Sequence, residues 1–187
     1  MSELIILAGA NGSGKTTVAN KMLRHRNYEF LNADEIEKTL QSHEKTSLKA
    51  GRIFFDKLNI MIETDKSFIL ETTLSGKYLL KFLEQVKEKK YEISIFFVFL
   101  ETPEMCIERI KNRVKKGGHY IPDEDVIRRY YRGIVNFWNV YKSKADIWYL
   151  FCNSIDNLEK VAFGNSKNVI IENETLHKNF LSNIIKA

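Results

Sequence analysis

Eight residues, Gly9-Ala10-Asn11-Gly12-Ser13-Gly14-Lys15-Thr16, constrain this chain more than any others. They read Gly-x4-Gly-Lys-Thr with no substitution, directly after the short apolar run Leu4 to Ala8 and directly before a helical pattern. Glycines let the backbone turn its amides inward into a nest for phosphate oxygens. In such a loop Lys15 reaches the outer phosphates, the Thr16 hydroxyl ligates magnesium, and the helix that opens there adds its positive end. A buried strand, a tight turn and a helix in that order predict a βα unit whose loop, through Thr17, holds a nucleoside triphosphate.

The rest of the chain repeats the strand–helix alternation. After a helix over about 15–24, strands are predicted at 29–32, 68–70, 93–100 and 147–151. Helices are expected at 35–41, 47–63, 77–89, 103–115 and 123–142, with a last one after Asn173. Pro103 suits a first helical turn, and Asp123 reads as a cap with acids following it. Residues 116–122 break the pattern and are expected as a loop, while 161–163 and 169–171 read as a small hairpin across Gly164-Asn165. Alternation of this kind predicts an α/β fold with a mainly parallel sheet of five strands covered on both faces. With 187 residues and no repeat or linker, one domain over 1–187 is expected.

In parallel sheets of this type ligands gather at the carboxyl ends of the strands. Lys15, Asp34 and Glu71 all follow strand ends, so they converge on one expected cleft. Asp34 reads either as a helix cap or as the general base that takes a proton from an acceptor hydroxyl. Glu71 reads as a strand-end carboxylate that holds a magnesium ion, directly or through water, or a substrate hydroxyl; Thr72 and Thr73 are then acceptor contacts. Arg109 and Arg113 share a helix face at i, i+4, and Arg113 runs into Gly117-Gly118-His119. Arginines on a closing lid, expected over about 109–132, neutralise a transferred phosphoryl group; the alternative is solvent-facing pairing with Glu104 and Glu108. Among Arg128, Arg129 and Arg132, one is expected to face the cleft. His119 reads as a lid contact to substrate or as an exposed loop residue. The aromatics Phe54, Phe55, Tyr130, Tyr131, Phe137, Trp138 and Tyr141 are expected mostly in the core.

Composition narrows the classes further. The formal charge is +5, but the basic residues are dispersed and form no long basic face, which disfavours a nucleic-acid binder and suits an enzyme handling polyanions. No apolar run approaches the ~18 residues of a membrane span, and no secretory signal is visible. Two distant cysteines, Cys106 and Cys152, suggest core residues in a reduced, cytoplasmic setting rather than a zinc site.

Taken together, the segments Gly9–Thr17, Asn32-Ala33-Asp34-Glu35-Ile36, Glu71-Thr72-Thr73-Leu74-Ser75-Gly76 and Arg113 to Tyr130 resemble, in order and spacing, the zeta toxin family of P-loop kinases. Asp146-Ile147-Trp148-Tyr149 and Asn153-Ser154 extend the resemblance toward the C-terminus. It implies a P-loop NTPase/kinase-type three-layer sandwich with a helical lid. It also implies ATP and Mg2+ as cofactors, and phosphoryl transfer to a sugar hydroxyl of UDP-N-acetylglucosamine or a related nucleotide sugar. The resemblance puts the base at Asp34, acceptor contacts at Glu71 and Thr73, and phosphate-clamping arginines in the lid; well-studied members are toxins held off by a small helical antitoxin. The residues alone leave other acceptors open (a nucleoside, a nucleotide or another sugar). Less favoured is an ABC-type ATPase module, since Thr73-Leu74-Ser75-Gly76-Lys77 lies too close to the P-loop for that signature.

Overall fold

The computed structural model describes residues 1–25, 27–32, 47–154 and 157–186. Asp34 and the helix expected over 35–41 lie outside the described residues.

Seven strands make one sheet in the order β2-β3-β1-β4-β5-β6-β7. They are β1 (Glu3–Ala8), β2 (Glu29–Asn32), β3 (Phe68–Thr72), β4 (Glu92–Phe99), β5 (Ile147–Cys152), β6 (Glu159–Gly164) and β7 (Val169–Ile171). The first five run parallel, as the alternating pattern predicts. The hairpin β6–β7 joins antiparallel at the edge of β5, so the expected five-stranded sheet is extended to seven. Among the described residues the α-helices are α1 (Lys15–Leu23), α2 (Ser47–Glu63), α3 (Leu80–Glu88), α4 (Pro103–Lys115), α5 (Asp123–Asn136) and α6 (Glu174–Ile185).

Side-chain alternation along β1 explains the layering. Leu4, Ile6 and Ala8 point into one core, which includes Leu58 of α2, Phe82 of α3, Ile134 of α5 and Phe180 of α6. Ile5 and Leu7 point the other way, against Ala19 of α1 and Ile69 of β3. A period of two thus buries both faces of a central strand, which is why β1 reads as a continuous apolar run. Phe54, Tyr130, Phe137 and Tyr141 are buried, as their spacing predicts, while Phe55, Tyr131 and Trp138 pack at the margin of the core. Both cysteines are buried thiols, and burial pushes Cys106 up to about 12. Among the described residues, no helix is long and apolar enough to cross a membrane.

Three local expectations need correction. Asp123 is the first residue of α5 rather than its cap; Pro122 holds the cap position, and the acids Asp123, Glu124 and Asp125 fill the first turn, where the helix dipole favours them. The helix predicted over 123–142 is α-helical only to Asn136. A π-turn over Phe137–Tyr141 and a 3-10 turn over Lys142–Lys144 follow. The wider turn accompanies two fixed contacts, Phe137 stacked on Phe97 at 4.5 Å and the Tyr141 hydroxyl donating to the Gly76 carbonyl at 2.8 Å. The helix expected from 77 begins only at Leu80, after a turn.

The same α5 and π-turn hold the segment that follows β3. Asn136 Nδ2 donates to the Leu74 carbonyl at 2.8 Å, next to the Tyr141–Gly76 bond. Leu74 itself has φ +51°, a left-handed conformation unusual for a bulky residue, and its N–H donates to Thr72 Oγ1 at 3.1 Å. Gly133 of α5 passes so close that an added Cβ would lie 2.6 Å from the Thr73 carbonyl oxygen. Gly133→Ala is therefore expected to cost ~1–3 kcal/mol by overpacking. Calorimetric melting should show a lowering of several degrees, whereas an unchanged melting temperature would mean that α5 is free to back away.

Candidate active site

The loop that follows β1 is built by close backbone approach. Gly9 has φ +135°, and a Cβ there would lie 2.0 Å from the Val98 carbonyl of β4. Gly14 has φ +96° and opens α1 from the left-handed region, which strains any residue carrying a Cβ. Between them the Ser13 N–H donates to the Ala10 carbonyl at 3.2 Å, closing the loop on itself.

Lys15 is only 5% exposed and turns back over the loop, its Nζ donating to the Ala10 carbonyl at 2.9 Å. Glu71, at the end of β3 and 8% exposed, places Oε1 3.9 Å from that ammonium. The Thr16 hydroxyl donates to Glu71 Oε2 at 2.9 Å and approaches Oε1 at 3.1 Å. A cation and a hydroxyl from the first turn of α1 and a carboxylate from β3 therefore meet at one point. For Lys15 and Glu71 this is the strand-end convergence expected from the chain order, with β1 and β3 brought side by side in register.

Two cavities meet there. One, of about 320 Å³, is lined by the loop, Thr16 and Thr17, together with Arg109 and Arg113. The other, of about 270 Å³, is lined by Thr72, Thr73, Ser75 and Tyr78, together with Arg128 and Arg129. Asn11, Lys15, Asn32 and Glu71 belong to both. Two compartments thus share a wall that carries an ammonium and a carboxylate, a geometry that lets a group pass from an occupant of one to an occupant of the other. Oxygen donors at Thr16 and Glu71 are what a hard divalent cation requires, so these residues fit magnesium.

The arginines divide in a way that spacing could not show. Arg109 and Arg113 do share the first cavity. Their guanidinium groups are held by carbonyl oxygens: Arg109 Nη2 donates to Asn153 at 2.5 Å and to Ser154 at 3.4 Å, and Arg113 Nη2 donates to His119 at 3.1 Å. Arg128 and Arg129 both line the second cavity. Arg128 is exposed and bridges Asp125 at 2.5 Å, and that hydrogen bond holds the Asp125 carboxyl below its ordinary range. Arg129 Nη1 donates instead to Asn11 Oδ1 at 3.1 Å, joining α5 to the loop after β1. His119 is exposed, and its side chain lies outside the linings of both cavities.

Thr72 and Thr73 both line the second cavity. Thr72 Oγ1 lies 3.1 Å from the Tyr78 hydroxyl, and Thr73 Oγ1 lies 2.9 Å from the Ser75 hydroxyl. Four residues at the site carry no role in the sequence reading: Asn32, Ser75, Tyr78 and Asn153. Asn32 ends β2 and could have been found by the strand-end rule that found Glu71. Ser75 and Tyr78 follow β3 closely, but Tyr78 was absorbed into a predicted helix. Asn153 belongs to the Asn153-Ser154 pair of the resemblance, but nothing along the chain marks the contact of its side chain with residue 13.

Comparison with known proteins follows the same lines. A family model described as an AAA domain matches residues 4–133. An uncharacterised protein of Haemophilus influenzae is 30% identical over 135 residues, covering 69% of this chain and 93% of that protein. Among solved structures, the AvrRxo1-ORF1:AvrRxo1-ORF2 complex with ATP superposes with a TM-score of 0.75 at 17% identity, over 98% of this chain and 64% of that one. The PezAT chromosomal toxin–antitoxin system of Streptococcus pneumoniae gives a TM-score of 0.65 at 15% identity, over 97% of this chain and 79% of that one. The chain spans just under two thirds of the chain it matches in the AvrRxo1-ORF1:AvrRxo1-ORF2 complex. At these identities the structural likenesses establish the fold alone, an α/β sandwich, in agreement with the strand–helix alternation of the sequence.

Proposed function

Because the chain belongs to the AAA-domain family, whose model spans residues 4–133, we propose that it is an ATP-dependent kinase that transfers the γ-phosphoryl group to a hydroxyl of a small molecule. The observation that carries this reading is the pair of cavities sharing Lys15 and Glu71. A hydrolase needs one occupied compartment and a water; a kinase needs two compartments that meet at the phosphorus.

In this reading ATP lies in the first cavity, its phosphates in the nest formed by residues 9–16 and on the N-terminus of α1. Thr16 and Glu71, the latter directly or through water, would hold magnesium, which when bound draws charge from the phosphate oxygens. The acceptor lies against Thr72, Thr73, Ser75 and Tyr78. Asp34 takes the proton of the acceptor hydroxyl as its oxygen bonds to the γ-phosphorus. The bond from that phosphorus to the bridging oxygen breaks, and ADP leaves with the electron pair. Lys15 balances the charge on the transferred group, which is where most catalysis in this chemistry lies. Arg109 and Arg113, on the lid assigned to about 109–132, line the donor cavity. Arg128 and Arg129 bring positive charge to the acceptor side, as an anionic acceptor requires.

A nucleotide sugar such as UDP-N-acetylglucosamine is the acceptor class favoured by the motif resemblance. A nucleoside, nucleotide or simple sugar is the second choice. Purified protein, ATP and a panel of these compounds test the reading through ADP release. Release that rises with one acceptor class identifies it. Release that ignores every acceptor but responds to DNA or a protein partner would sink the kinase reading. A small helical antitoxin remains the partner proposed from the same resemblance.

A further inference from the structure

We propose that Asn153 is a positioning residue for phosphate binding: it sets the orientation of the Ser13–Gly14 peptide and so aims the Gly14 N–H into the phosphate nest. The inference rests on the nucleotide-binding reading of the loop and adds a residue far from it in sequence. Asn153 follows β5 directly and is pinned from three sides. Its backbone N–H donates to the Phe99 carbonyl at the end of β4, at 2.9 Å. Its own carbonyl accepts from Arg109 Nη2 at 2.5 Å. Its side-chain Nδ2 donates to the Ser13 carbonyl at 2.8 Å.

The last bond controls direction. In a trans peptide the C=O and the following N–H point to opposite sides of the chain. With the Ser13 carbonyl drawn toward Asn153, the Gly14 N–H faces away from it, and Gly14 lines the donor cavity. A flip of this one peptide would put a carbonyl oxygen where a phosphate oxygen must sit, and Gly14, at φ +96°, is a residue whose backbone permits such a flip. Contact is close enough to leave no slack: a Cβ on Gly14 would lie 2.3 Å from Asn153 Nδ2. Arg109 acts in this arrangement as the clamp on Asn153, which is a structural reason for its guanidinium to point at a backbone carbonyl.

The test uses the full chain, with Asn153→Ala and the isosteric Asn153→Asp, and calorimetric titration with ADP and with inorganic pyrophosphate. Losing the donor should weaken both ligands about tenfold, the size of one hydrogen bond, with the ligand-free melting temperature unchanged. A protonated carboxyl can donate again, so Asn153→Asp should recover affinity relative to Asn153→Ala as pH is lowered toward the carboxyl range near ~4. A merely structural role would put the loss and its low-pH recovery in the ligand-free melting temperature rather than in pyrophosphate affinity. Wild-type affinity in both variants, or a lowered melting temperature with pyrophosphate affinity intact, overturns the inference and leaves the P-loop reading standing. Failure of the wild-type chain to bind either ligand is a separate result, and overturns the P-loop reading itself.

Discussion

Asp34→Asn should abolish acceptor phosphorylation while leaving ATP bound. The amide has the shape of the carboxylate but cannot take a proton, so the acceptor hydroxyl must attack while still protonated. General-base assistance is typically worth ~10²–10⁴-fold, and the loss should fall on turnover rather than on nucleotide affinity. ATP binding should survive because the phosphates are assigned to another part of the chain, the loop over residues 9–16. The placement of Asp34 in this role rests on its position two residues past Asn32, the end of β2, which lines both cavities. Single-turnover transfer measured beside equilibrium ATP binding separates the two quantities. Full transfer in the variant would return Asp34 to the alternative reading of a helix cap.

Lys15→Ala should have an effect of comparable size with a different signature. Lys15 is buried, and its ammonium is anchored at 2.9 Å on the Ala10 carbonyl and stands 3.9 Å from Glu71. Removing it takes away a preorganised positive charge at the point where the two cavities meet. Losses of ~10²–10³-fold are usual when one such electrostatic contact is deleted, and here ATP affinity should fall as well. The variant therefore differs from Asp34→Asn in binding as well as in rate. If the protein acts as a toxin, induced expression of the wild type should arrest growth and the Lys15→Ala variant should relieve it. Harmless expression of the active wild type would point to a housekeeping kinase instead.

Much of the architecture could be read along the chain because it is governed by local rules. Apolar runs of strand length alternate with amphipathic helices, so the parallel order of β1 to β5 follows from connection chemistry. The π-turn over Phe137–Tyr141 was not readable in this way. It accompanies contacts of Phe137 with Phe97 and of Tyr141 with Gly76, partners 40 and 65 positions away. The edge hairpin was legible as a hairpin, but its addition to the same sheet depended on its pairing with β5.

The site divides on the same principle. By itself the sequence determined the phosphate loop, since glycines, a lysine and a threonine in that spacing fix a local backbone shape and its chemistry. It also determined that Glu71 belongs with that loop, because strand ends in a parallel sheet share one rim. Tertiary structure alone decided what each arginine holds: Arg109 grips Asn153, Arg113 grips His119, and Arg129 reaches Asn11. It alone brought Asn153 to Ser13, across 140 positions. The physical reason is reach. A guanidinium or carboxamide on a helix or strand end can satisfy its hydrogen bonds with any group within a few ångströms, and spacing along the chain says nothing about which distant carbonyl the fold delivers there.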